Sequence, residues 1–325
     1  MNAINKLFGF RIGIQLIVFI AIGLAPVSGV EFAVKGRVRH EVWRSTGQQF
    51  EGEKNFSVDL KDGAWLLKTW GVGKNDQVFE VGYKDGILFR LYKFLQNNQG
   101  VLTNACSALV KNGVIPDDDA SLLNYLWLAY CSAGFVAERT DGKLEPIWLL
   151  DDPTLNAEGF KLSATVTQIS LTSPPSMVAY FSDGNYRVRN GNERKLVPAP
   201  APYNQGYTNA IFLAQATTNV NGIQIPSSWS FVRYMPDQNG STDRNRLLPR
   251  TITRGLVESI SLRVSVASLR PIPPADALVR DERFAQVGKP TAQTEVRYFV
   301  TNGVWPSTAE LRPAFTNSLQ RFKRN

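Results

Sequence analysis

The chain has 325 residues, with 36 Lys+Arg against 28 Asp+Glu, one His, two Cys, and 43% hydrophobic and 11% aromatic residues. That is a core-forming composition, which excludes low-complexity disorder. One imidazole and two thiols also exclude metal sites built from several histidines or from four thiolates.

Residues 1–29 read as an export signal. Lys6 and Arg11 form a positive start, Ile12 to Ala25 is apolar apart from Gln15 and its glycines, and Pro26 ends the run. Val27-Ser28-Gly29 offers the small residues that a signal peptidase accepts, which places cleavage after Gly29. The alternative is an uncleaved membrane anchor, because the uncharged stretch from Ile12 to Val30 approaches the roughly 20 residues that span a bilayer. No Cys stands near the cleavage site, so a lipidated N-terminal cysteine is excluded. Lys6 and Arg11 are the only charges removed, leaving 34 basic against 28 acidic residues and a net charge of +6. The reading is an exported protein, periplasmic or extracellular, of a bacterial envelope. Its basic clusters (Lys35, Arg37 and Arg39; Arg244, Arg246 and Arg250; Arg321, Lys323 and Arg324) read as solvated surface, and export argues against a nucleic-acid partner.

From Phe32 to Val42 the residues alternate with a period of two, predicting a half-buried strand with Val34, Val38 and Val42 inward and the charges outward. Further strands are predicted at Phe56 to Leu60, Ala64 to Trp70, Val78 to Tyr83 and Ile87 to Tyr92. Two Lys-Asp-Gly triplets, at 61–63 and 84–86, are hairpin signals, since Asp-Gly supplies the positive backbone dihedrals that strand twist requires. Together they predict an antiparallel meander.

The spacing then predicts a short helix over Thr103 to Asn112, ended by Gly113, and a longer one from Pro116 to about Val136 with Asp117 to Asp119 at its positive end. Leu122, Leu123, Leu126, Trp127, Tyr130 and Cys131 form an apolar stripe on the second. After Pro153 the chain returns to strands: Phe160 to Leu171, Met177 to Phe181, Asn185 to Arg189, Tyr207 to Ala216, Gly222 to Ile225, Trp229 to Tyr234, Thr251 to Val266 and Glu295 to Val300. In the run from Thr251 the even positions are largely apolar (Ile252, Leu256, Ile260) and the odd ones mostly Thr, Ser and Gly. The prolines at 198–202 and 271–274 mark connections. Leu311, Phe315, Leu319 and Phe322 are spaced for an amphipathic helix that packs on the sheet, a frayed basic tail being the alternative.

The fold class is therefore α+β, mainly antiparallel β: a large curved or half-open barrel sheet with a helical insertion. The chain divides into a signal peptide (1–29), a sheet domain (30–270) with its insertion near 103–136, and a C-terminal extension (271–325). Signal peptide, charged strand (Val34 to Trp43), meander (Phe56 to Tyr92), helices and returning strands together resemble the LolA/LolB-type lipoprotein carriers. The hairpin from Gly222-Ile223-Gln224-Ile225-Pro226 into Trp229 to Tyr234 is also similar to theirs. The resemblance implies a half-open barrel, covered by helices, that holds acyl chains; it carries over no individual binding residue.

No catalytic constellation is found. His40, the single imidazole, is in phase with Val38 and Val42 and reads as a packed strand residue, and no Gly-x-Ser-x-Gly elbow is present. Gly71-Val72-Gly73 lacks the following helix of a phosphate cradle. The acidic pairs at 117–119, 151–152 and 281–282 read as caps and turns and not as a calcium loop. Nothing calls for a metal or cofactor. Cys106 and Cys131 would share an oxidising compartment. In a helical hairpin, however, their offset of about 12 Å exceeds the roughly 7 Å a disulfide spans, so a bond and two buried thiols both stay open.

The leading functional reading is a non-enzymatic envelope protein that binds a lipid or other amphipathic ligand in the concavity of the sheet. The candidate lining residues are Phe56, Val58, Leu60, Phe79, Val81 and Tyr83 from the meander and Leu126, Trp127 and Tyr130 from the helix. The alternative is a filled core, with an envelope protein partner bound through the loops at Val197 to Gly206 and Met235 to Arg250.

Overall fold

The structure is a computed structural model. It describes residues 31–43, 49–72, 77–98, 101–113, 116, 122–131, 161–164, 168–172, 176–180, 194–198, 207–220, 223–236, 247–264, 269–275, 277–284 and 295–322. The predicted export signal, the strand predicted at 185–189 and the cores of both candidate loops lie outside these residues.

Six strands form an uninterrupted antiparallel meander: β1 (Glu31–Trp43), β2 (Gln49–Lys61), β3 (Ala64–Gly71), β4 (Val78–Lys84), β5 (Ile87–Asn98) and β6 (Val101–Asn112). The tight turns are where the sequence puts them. Asp62 and Gly63, then Asp85 and Gly86, all hold positive φ (50°, 76°, 54° and 81°), the twist-matched geometry that two-residue hairpins favour.

After α1 (Leu123–Tyr130) come β7 (Lys161–Ala164), β8 (Gln168–Thr172), β9 (Ser176–Tyr180), β10 (Arg194–Pro198), β11 (Thr208–Val220), β12 (Ile223–Pro236), β13 (Leu247–Ser261), β14 (Leu278–Asp281) and β15 (Val296–Phe299). Helix α2 (Thr308–Phe322) follows. Strand β13 returns to the free side of β1, giving one 13-stranded sheet in the order β15-β14-β6-β5-β4-β3-β2-β1-β13-β12-β11-β8-β7, with β9 and β10 paired separately. The sheet is open, with β15 and β7 at its edges. This is the α+β, mainly antiparallel class.

Helix α1 makes its main backbone approaches to β3 and β12, which lie on either side of β2, β1 and β13. A helix over a flat sheet would sit nearest the middle strands, so the sheet bends into a trough around α1. One hydrophobic cluster fills that trough, running from β1–β5 through α1 to β11 and β12. A second cluster lies on the convex side, where Phe89, Leu91, Ala108 and Val110 meet Ala277, Val279, Val300 and Trp305.

The C-terminal segment covers this convex side. A Cβ on Gly82 would stand 2.4 Å from the Leu269 carbonyl oxygen and 2.8 Å from Pro271, so the absent side chain is what lets 269–271 cross β4. Trp305 lies against Phe89 and donates its indole N–H to Pro271 O at 2.7 Å. Strand β14 then pairs in parallel with β6. Buried Asp281 takes a bidentate ion pair from buried Arg283 and a hydrogen bond from the Tyr298 hydroxyl, while Arg283 also donates to Pro306 O and Thr308 Oγ1. One guanidinium thus ties β14, β15 and the start of α2 together.

Three local predictions are corrected. Residues 103–112 are not a helix but most of β6, which pairs with β5 over twelve consecutive positions; the alanines and leucines suggested helical spacing, while the strand is set by the hairpin it makes with β5. Of the second predicted helix the described part is Leu123–Tyr130, bounded by Leu122 (φ 65°) and Cys131, so Pro116, Leu122 and Cys131 are not in α1; 117–121 and 132–136 lie outside the described residues. In β13 the covered side chains are Thr251 and Thr253, whereas Leu256 is 54% exposed. The reason is Gly255, whose missing side chain leaves room for the indole of Trp229. Helix α2 is present and begins at Thr308, set by a capping box in which Glu310 N–H donates to Ser307 Oγ and Ser307 N–H to Glu310 Oε2. Pro313 lies inside the helix.

A Cβ on Gly255 would stand 2.1 Å from the Trp229 ring, and that ring is fully buried and has nowhere to shift. Gly255→Ala is expected to destabilise the protein by about 1–3 kcal/mol, the usual cost of overpacking. Trp229→Leu is destabilising in its own right, but in that background Gly255→Ala should cost less than it does in the parent chain. Chemical denaturation of the parent, both single variants and the double variant checks this, and an equal cost of Gly255→Ala in both backgrounds would place the clash elsewhere.

Candidate functional site in the trough of the sheet

The period of two sorts the trough. On β1, β2, β3 and β4 the alternate positions Val34, Val38, Phe56, Val58, Leu60, Trp65, Leu67, Phe79 and Val81 face inward and are buried. Helix α1 closes over them with Leu123, Tyr125, Leu126, Trp127 and Tyr130, giving it buried residues around nearly its whole circumference. Its first residue follows Leu122, which is held in the left-handed region at φ 65° and is itself buried. A leucine pays about 1–2 kcal/mol for that conformation, so packing keeps it there.

All nine candidate lining residues converge in this cluster. Phe56, Val58, Leu60, Phe79, Val81, Leu126, Trp127 and Tyr130 are buried within it, and Tyr83 packs against its edge and stacks on Trp65 with ring centroids 5.5 Å apart. Trp65 Nε1 is buried without a hydrogen-bond acceptor among the described residues. The two cysteines are separated by the sheet. Cys106 faces the convex cluster and Cys131 the trough, and both are free thiols. Burial raises the pKa of each, leaving them weak nucleophiles.

Sequence reasoning missed the clasp that seats the helix. Trp229 on β12 donates its indole N–H to the Tyr130 hydroxyl at 3.0 Å, deep in the trough. Burial drives the Tyr130 hydroxyl far above its ordinary pKa, so it stays neutral. Tyr125 packs against Phe231 of β12 at 4.8 Å and stacks on His40 of β1 at 6.0 Å. The signal was there: Trp229, Phe231 and Arg233 alternate in phase, and only Gly255 opposite Trp229 shows which face is covered.

His40 behaves as a packed residue. Its Nδ1 shares a 2.8 Å hydrogen bond with Thr253 Oγ1, and burial, with Lys54 nearby, lowers its pKa from 6.5 to about 4. Glu41, its neighbour in β1, points to the opposite face, where it pairs with Arg254, and so does not orient His40 as a carboxylate orients a catalytic base.

Over β4 and β5 the trough continues as an aromatic strip that begins at buried Phe79 and is partly exposed at Tyr92 and Phe94. Phe79 stacks on Tyr92 at 4.2 Å, Tyr92 on Phe94 at 4.7 Å, and Lys54 Nζ lies 4.5 Å from the centre of the Phe79 ring. Among the described residues there is no cluster of three or more His, Cys, Asp or Glu suited to a metal ion. None of their helices is long and apolar enough to cross a membrane.

No family model matches the chain, and no curated protein does. Among solved structures, a DUF1329 family protein from Desulfovibrio piger matches at 10% identity over 74% of this chain and 89% of that one, with a TM-score of 0.23. That score carries no assignment of fold or function to this chain.

The His40 environment sets a pH dependence. The folded protein keeps the imidazole neutral down to about pH 4, whereas the unfolded chain protonates it near 6.5. Its contribution to stability is therefore complete above pH 6.5 and is lost as pH falls towards 4. Thermal unfolding from pH 7 to 4.5 should show a smaller fall in Tm for His40→Gln than for the parent chain. Parallel curves would mean that His40 titrates normally in the fold.

Proposed function

We propose that this chain is an exported envelope protein, without catalytic activity, that binds a lipid-like or other amphipathic ligand in the trough of its sheet. The observation that carries this reading is the construction of the trough: a concave apolar face covered, among the described residues, by the eight-residue helix α1 and continuing over β5 as an aromatic strip that is partly exposed at Tyr92 and Phe94. An isolated helix of that length is unstable in water, so α1 depends on its seat. The side chains beneath it are packed against one another, and a ligand reaching them takes the place of α1, while the strip beside it receives a ligand without that displacement. The LolA/LolB-like layout of the sequence points to the same use, and export supplies the compartment.

The test is lipid binding by the full chain. Organic extraction of protein purified from a bacterial envelope fraction should release a co-purifying lipid detectable by mass spectrometry. The delipidated protein should bind a fluorescent fatty acid saturably. Lack of both would overturn the reading and leave a filled core with function on the loops.

A further inference from the structure

The two faces of the sheet differ in the sign of their charge. Antiparallel partners share a face, so the register assigns each side chain on β1–β6 and β11–β13. Every carboxylate on these strands falls on the convex side: Glu31, Glu41, Glu51, Glu53, Asp59 and Glu80 by register, and Glu258, at the bulge opposite Lys35 and Gly36, by its ion pair with Arg37. Basic partners accompany most of them there, including Arg39 with Glu51, Arg37 with Glu53 and Glu258, and Lys68 and Lys93 with Glu80. The trough side holds His40, Lys54, Arg90, Lys111 and Arg233, and no acid among the described strand residues. Burial alone does not explain this, because a covered face excludes both signs of charge. Arg233 is only 7% exposed there.

Lys54 and Arg90 stand where the aromatic strip begins. Lys54 lies over Phe79, and Arg90 is two residues from Tyr92 on the same face of β5, about 7 Å along the strand. A cationic head beside a half-exposed aromatic surface is complementary to a molecule with one anionic and one apolar end.

We propose that the trough selects amphiphiles with an anionic headgroup, held near Lys54 and Arg90, with the apolar chain lying along Phe79, Tyr92 and Phe94. The inference rests on the ligand-binding reading above and adds the headgroup class, a carboxylate or a phosphate monoester.

Displacement of a fluorescent fatty acid from the full chain by single-chain competitors tests it. Palmitate and palmitoyl-lysophosphatidate are expected to compete at concentrations at least tenfold below monopalmitoylglycerol, which is neutral, with the difference shrinking as salt screens the contact. Lys54→Gln and Arg90→Gln, both at partly exposed positions, should each weaken the two anions several-fold and leave monopalmitoylglycerol unchanged. A preference for one of the anions supports the assignment and identifies the headgroup. Equal competition by neutral and anionic compounds, or variants without effect, would overturn the headgroup assignment while ligand binding stands. No binding by any probe would overturn both.

Discussion

The indole of Trp229 is the contact on which the rest of the trough depends. It lies in the space left by Gly255 on the neighbouring strand, packs against Phe212 on the other side and gives its N–H to Tyr130. Four elements therefore meet at one side chain: β13, β12, β11 and α1. A buried indole N–H without an acceptor costs about 1–3 kcal/mol, so the Tyr130 hydroxyl specifies where the helix sits as well as stabilising it. The apolar neighbours of α1 favour burial without direction; this hydrogen bond supplies the direction.

A sheet of 13 strands exposes two faces, and the chain deals with them differently. The convex face of β4–β6 is covered by a segment that adds its own strands, crosses β4 through the gap at Gly82 and is locked by the Asp281–Arg283 pair. Removing one partner of such a buried pair typically costs about 3–5 kcal/mol, which makes this cover a permanent part of the fold. Among the described residues, the concave face is covered by α1, which is entered through a leucine in a strained conformation and tied to β12 by the Trp229–Tyr130 hydrogen bond. The proposed ligand binding rests on this difference in construction between the two covers.

How much of this was legible in the sequence follows from the range of each signal. The Asp-Gly hairpins and the alternation in β1–β5 depend on neighbours a few residues away, and the sequence reads them directly. The capping box of α2 is equally local, with Ser307 and Glu310 three apart, yet the sequence reading starts that helix at Leu311 and passes over it. The mistake over 103–112 has the same origin in reverse: Ala105, Ala108 and Leu109 are compatible with a helix, and only the partner strand β5 decides against it. The buried face of β13 depends on Trp229, 26 residues away from Gly255, and no periodicity within β13 reports that. Gathering the nine lining residues into one cluster was within reach of alternation and helical spacing. The clasp that holds the helix over them, and the sorting of acids and bases onto opposite faces, required the register of the whole sheet.

The account makes α1 the weaker of the two covers, and amide hydrogen exchange followed by mass spectrometry measures that difference most directly. The backbone amides of Leu123–Tyr130 should exchange through a local opening, faster than those of β1–β3 beneath them. Tyr130→Phe should accelerate the helix alone by roughly tenfold or more, the effect of removing about 1.4 kcal/mol from its seat. Exchange of the helix only together with the central strands, unaffected by Tyr130→Phe, would contradict the account and make α1 a fixed part of a filled core.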